Sequence, residues 1–111
     1  MFSQGEIVLI PIPFTNLESK KKRPVMILSN GHYNKVSEDI IAVAITSNIR
    51  GLEYEVVIEN QDMIEGNLKR ISCIRTDKIY TLSKDLIVTK FGKVNDSIIT
   101  DVKKSINILI D

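Results

Sequence analysis

Arg75 and Asp77 stand two apart in a stretch, residues 71–76 (ISCIRT) followed by Asp77 and Lys78, that alternates like a β-strand. In an extended chain, residues i and i+2 leave the same face. A guanidinium and a carboxylate at this spacing can therefore meet one phosphate together, as a proton acceptor and its electrophilic helper. A cross-strand salt bridge at the surface is the plainer alternative. Arg23 precedes Pro24, where the basic run Lys20, Lys21, Lys22 gives way to the apolar residues 25–28 (VMIL). Pro24 fixes the local backbone, and a strand behind it can hold the planar guanidinium fork against a phosphate. The high pKa of arginine makes Arg23 a poor base, and an exposed loop arginine is the competing reading. Thr46 and Ser47 end the longest apolar run, so their hydroxyls can project to a site at the sheet edge, although many strands simply end in such residues.

Lys20, Lys21, Lys22, Arg50, Lys69, Arg70 and Lys78 can line a groove that tracks a phosphate backbone, with Tyr54 or Tyr80 stacking a base. Solvated loops carry charge runs too. The one histidine, His32, follows Gly31 and reads as a solvated loop residue, whereas Cys73 alternates with outward-facing positions and reads as packed inside.

These residues need a scaffold, and the apolar pattern supplies one. Residues 6–14 (EIVLIPIPF) read as a strand whose far end, with Pro11 and Pro13, lies on an edge or leaves the sheet. Residues 15–23 form a polar, basic loop, and residues 25–28 a short buried strand. Residues 39–46 (DIIAVAIT) are apolar on both faces, as a central strand is. Further strands are expected at 54–59, 71–76, 79–82 and 86–91, with Ser83-Lys84-Asp85 as a turn. After Gly92 the period changes. Asn95, Asp96 and Ser97 offer N-caps, and Ile98, Val102, Ile106 and Leu109 recur on one helical face. The pattern is mainly β (α+β): a small, twisted, largely antiparallel sheet or SH3-like open barrel with a C-terminal helix.

The 111 residues suit one domain able to bury its own core. Apolar residues make up 43% and charged residues 26%, which excludes a disordered chain. Fifteen Lys and Arg against fourteen Asp and Glu leave a net charge of +1, so nucleic-acid binding has to come from local clustering. One cysteine and no zinc-ligand spacing fit a reducing cytoplasm with neither metal nor other cofactor. No apolar run approaches a membrane span, and the first residues lack a signal-peptide pattern.

Residues 5–30 (GEIVLIPIPFTNLESKKKRPVMILSN), 44–48 (AITSN), 72–84 (SCIRTDKIYTLSK) and the ending SINILID together resemble the MazF/PemK family of bacterial toxins, in order and at matching spacing. The resemblance spans the whole chain, residues 1–111 as one such domain. It implies a homodimer and a sequence-specific endoribonuclease, an mRNA interferase, that cuts single-stranded RNA without a metal ion. It further implies a cognate antitoxin whose disordered tail covers the groove, with DNA reached only through that toxin–antitoxin complex and no membrane partner.

In such an enzyme the RNA's own 2′-hydroxyl attacks the adjacent phosphate, leaving cyclic phosphate and 5′-hydroxyl ends. By resemblance Arg23 stabilises the charge of the transition state and Thr46 contacts the scissile phosphate with Ser47 beside it. Arg75 and Asp77 match the acid–base pair of one branch of the family, and Lys20, Lys21, Lys22, Asn48 and Lys78 contact RNA. The sequence carries both catalytic sets. Branches that place a histidine near the end of the first strand are not matched, since residues 15–18 are TNLE. Two other readings compete. CcdB toxins share the fold and trap DNA gyrase through an aromatic-containing helix end, which residues 108–111 (ILID) lack; an inactive antitoxin-binding module is the third.

Overall fold

The computed structural model describes residues 1–11 and 21–111. Its centre is the β-branched run of residues 39–46, which forms strand β3 (Asp39–Thr46) between β2 (Lys22–Ile27) and β6 (Ser72–Ser83). With a neighbour on each side, β3 buries apolar residues on both faces. β1 (Glu6–Pro11), β4 (Glu55–Ile58), β5 (Met63–Glu65) and β7 (Thr89–Val94) complete a seven-stranded sheet in the order β4-β6-β3-β2-β1-β7-β5. Every pairing is antiparallel. The sheet curls into an open half-barrel, as the pattern predicts.

Strand alternation sorts the core into two layers. Ile7, Met26, Val43, Ile45 and Ile74 pack on one face with Ile98, Ile99 and Val102 of helix α2 (Asp96–Ile110). Val8, Ile10, Val25, Ile27, Ile40 and Ala42 form the other layer, with Phe2, Leu82 and Ile87 against it. The α2 N-terminus is capped as expected: the Asn95 side chain accepts a hydrogen bond from the Ile98 N–H at 3.0 Å. None of the described helices is long and apolar enough to cross a membrane.

Several elements depart from the sequence pattern. Residues 31–36, expected as loop, form helix α1 (Gly31–Val36), whose cap is the Asn30 side chain accepting from the Tyr33 N–H at 2.8 Å. Its six residues are too few to show a helical period. His32 accordingly lies in a first helical turn, exposed. β2 begins at Lys22, so Lys22 and Arg23 belong to the strand and not to the preceding loop. The strands expected at 71–76 and 79–82 are one strand, β6. The expected strand at 86–91 is displaced: Ser83 caps a 3-10 turn at Lys84–Leu86 and β7 starts only at Thr89. It runs on through Gly92 because β5 approaches closely there; a Cβ at Gly92 would lie 2.5 Å from the Glu65 carbonyl oxygen. The far end of the first predicted strand and most of the basic loop, with Lys20, lie outside the described residues.

Candidate functional site

β2 and β3 are paired only over Val25–Ile27 and Ala42–Ala44. The ladder stops one residue short of Pro24, which has no N–H to extend it. Beyond that point a groove of about 270 Å3 opens, lined by Arg23 and Pro24 of β2, Ala44, Ile45 and Thr46 of β3, and Arg75, Lys78 and Tyr80 of β6. Asn48 and Arg50 close its end. Among the described residues the lining holds three arginines and a lysine and no carboxylate, which makes the groove a positive channel in a chain of nearly zero net charge.

The β6 wall is irregular. Val43 pairs with Ile79 and the next residue, Ala44, with Arg75, so Thr76, Asp77 and Lys78 form a bulge with no partner on β3. Bulges re-aim side chains, and here Arg75 and Asp77 turn toward each other. Arg75 Nε donates to Asp77 Oδ1 at 2.9 Å and Nη2 to Oδ2 at 2.8 Å. The two donors from Arg75 hold the Asp77 carboxyl below its ordinary pKa against the opposing effect of burial, and the same bonds raise that of Arg75. Arg75 lines the groove with its side chain 12% exposed, while the more exposed Asp77 lies outside the lining. The cross-strand salt bridge entertained from the sequence is thus replaced by an ion pair within one strand.

Thr46 Oγ1 accepts from the Asn48 N–H at 3.1 Å, which turns the chain so that Asn48 faces the groove and leaves the Thr46 O–H proton available to a ligand. Arg50 is held through its backbone: its N–H lies 3.2 and 3.3 Å from the Glu55 carboxylate oxygens, one of which also accepts from Leu52 N–H at 2.9 Å. Burial pushes the Glu55 carboxyl up, but these donors prevail and its pKa lies below the ordinary value. Cys73 is buried, as expected, but Ser72 and Ile74 on either side are buried too, so coverage of both faces of β6 and not alternation encloses it; burial and then the neighbouring Glu55 push its thiol up to about 11.

Of the residues singled out from the sequence, Arg23, Thr46, Asn48, Arg75 and Lys78 converge on the groove. Ser47, Lys21 and Lys22 are exposed outside its lining. Lys69 and Arg70 line a second, apolar groove of about 240 Å3 with Leu9 and Phe91, which adjoins the first across Pro24 and Ile45. Arg50 and Tyr80, which the sequence offered only among many basic and aromatic residues, do line the site. Among the described residues no three His, Cys, Asp or Glu side chains gather as a metal ion needs.

The sequence profile of the PemK-like, MazF-like toxins of type II toxin–antitoxin systems matches residues 3–110. The chain belongs to the PemK/MazF toxin family. Among curated relatives, this PemK/MazF chain is 28% identical over 109 residues to the endoribonuclease MazF of Staphylococcus saprophyticus, covering 97% of the chain and 90% of the relative. Its fold is that of an endoribonuclease solved in complex with its cognate antitoxin from a mycobacterial species, with a TM-score of 0.81, 20% identity and coverage of 99% and 95%. A MazE–MazF structure from Deinococcus radiodurans matches with a TM-score of 0.78 at 20% identity, covering 98% and 95%.

Proposed function

We propose that this PemK/MazF-family protein is an endoribonuclease that cuts single-stranded RNA at short sequence motifs in the groove between β2, β3 and β6, without a metal ion. The observation that carries the reading is the convergence of Arg23, Thr46 and Arg75, from three different strands, on one positive groove. The endoribonuclease MazF of S. saprophyticus supports it at the level of activity.

In the proposed reaction the 2′-oxygen bonds to phosphorus and the bond from phosphorus to the 5′-oxygen breaks. The products are a 2′,3′-cyclic phosphate and a free 5′-hydroxyl. The 2′ proton passes to water in the open groove and the 5′-oxygen takes a proton from the same solvent, so no water is consumed. Arg23 and Arg75 bracket the non-bridging oxygens and carry the charge that builds on pentavalent phosphorus, and Thr46 donates its hydroxyl to one of them. Asp77 serves as a positioning residue: both its oxygens already accept from Arg75, and its depressed pKa leaves it a weak proton acceptor. Lys78, Arg50 and Asn48 hold the flanking chain, with Tyr80 beside them as a surface for a base.

A homodimer and a cognate antitoxin that covers the groove belong to the same proposal; the mycobacterial endoribonuclease solved with its cognate antitoxin supports the antitoxin alone. The test is incubation of the purified protein with a long unstructured RNA in EDTA, beside folded Arg23→Ala and Asp77→Ala variants, with mapping of the ends. Discrete cuts with cyclic phosphate and 5′-hydroxyl ends, lost in Arg23→Ala and weakened in Asp77→Ala, are expected. RNA left intact across diverse sequences would overturn the reading and turn attention to gyrase or to antitoxin binding.

A further inference from the structure

The bulge of Thr76, Asp77 and Lys78, which adjoins Arg75, is fixed on its other face by Thr76. Alternation sends the Thr76 side chain to the face opposite Arg75, where it is fully buried. There the Tyr54 carbonyl accepts from both the Thr76 N–H at 3.0 Å and the Thr76 hydroxyl at 2.9 Å. Having given its proton to Tyr54, Thr76 Oγ1 accepts from the Ser105 hydroxyl of α2 at 2.6 Å. A chain of hydroxyls thus ties the C-terminal helix, through the bulge, to the segment that enters β4.

We infer that Thr76 is a positioning residue for the cleavage reaction, holding the bulge so that Arg75, paired with Asp77, faces the groove; the inference rests on the ribonuclease reading above. A bulge with no partner on β3 has no ladder hydrogen bonds to that strand to fix its course. Thr76 replaces them with bonds to Tyr54 and Ser105. Burial makes the bonds obligatory, because an orphaned hydroxyl here has no water to turn to. Displacing the guanidinium of Arg75 by about 1 Å should cost the chemical step about a hundredfold without removing the cationic surface that binds RNA.

The experiment compares Thr76→Val, which keeps the shape and removes the hydroxyl, with Thr76→Ser and Ser105→Ala, each checked for folding by circular dichroism. Steady-state cleavage of a short RNA substrate is measured alongside the NMR resonance of the Arg75 Nε–H, assigned by its loss in Arg75→Lys. Thr76→Val should lower kcat about tenfold to a hundredfold with KM within about threefold, and should broaden or shift the Arg75 Nε–H as its bond to Asp77 loosens. Thr76→Ser should restore both, and Ser105→Ala should weaken both in the same direction. Should Thr76→Val fail to fold, Ser105→Ala alone decides. Unchanged kcat and an unchanged Arg75 Nε–H in the folded variants would overturn the inference. Absence of cleavage by the unaltered protein would instead defeat the ribonuclease reading, while the Arg75 signal would still report whether Thr76 fixes the bulge.

Discussion

Arg75, at the edge of the β6 bulge, and Asp77, within it, are locked together by two parallel hydrogen bonds of 2.9 and 2.8 Å, so the guanidinium lines the groove already oriented and the carboxylate lies outside the lining. A bidentate pair of this kind restricts the fork in two directions at once. It also commits both carboxylate oxygens, so in the proposed reaction Arg75 meets the phosphate and Asp77 acts through Arg75.

Asp77 should therefore show its role in the pH dependence. Its folded pKa is depressed below 3.8, so the pair is intact above that ordinary value and is lost only as pH falls further, through the folded pKa. The kcat of the unaltered enzyme should carry no acid limb from Asp77 above pH 3.8. Asp77→Asn should lower kcat about tenfold to a hundredfold by a constant factor from about pH 6 to 9. An acid limb near neutrality that vanishes in Asp77→Asn would make Asp77 the base.

Arg23 is expected to act through its fork as well as its charge. Arg23→Ala should cost about 10²–10³ in kcat, and Arg23→Lys should recover only part of it, because a point charge cannot bracket two oxygens. Single-turnover cleavage at saturating enzyme separates this from weaker RNA binding. Full activity in Arg23→Lys would show that charge alone suffices.

Glu6 anchors the start of β1, far from the groove. Its buried carboxylate accepts from the Ser3 N–H and from the Ser3 hydroxyl at 2.6 Å, and pairs with Lys90 at 3.0 Å. Burial pushes its pKa up, but Ser3 and Lys90 outweigh it and the folded pKa lies below 4.5. The stabilisation is thus present above pH 4.5 and disappears as pH falls through the folded value. Glu6→Gln should cost about 1–3 kcal/mol at pH 7 and flatten the loss of stability below pH 4.5, read by urea unfolding across pH. Equal stability of the two proteins at pH 7 would remove Glu6 from the account.

Cys73 should be inert while the protein is folded. With the thiol pushed from 9.0 to about 11, its thiolate fraction at pH 8 falls about a hundredfold, and burial blocks access besides. Iodoacetamide should label it rapidly only in denaturant, as followed by intact mass. Rapid native labelling would mean that β6 opens locally.

The sequence alone determined what is written in local periodicity. Residues 39–46 are apolar on both faces and became β3, with the expected bounds, and Asn95 with Ile98 and Val102 specified a capped helix. Arg23, Thr46 and Arg75 were legible as candidates because each stands where an apolar run begins or ends. Short elements such as α1 and β5 left no period to read, and Gly92 resembled a strand end because its reason is the Glu65 carbonyl of a different strand. Only the tertiary structure decided which cations meet. Arg50 and Lys78 share the groove while Lys69 and Arg70 do not, since that depends on where β2 and β3 stop pairing and on the three-residue bulge in β6. Register and bulging are set by pairing between distant strands, so no stretch of sequence contains them, and with them came the division of labour between Arg75 and Asp77.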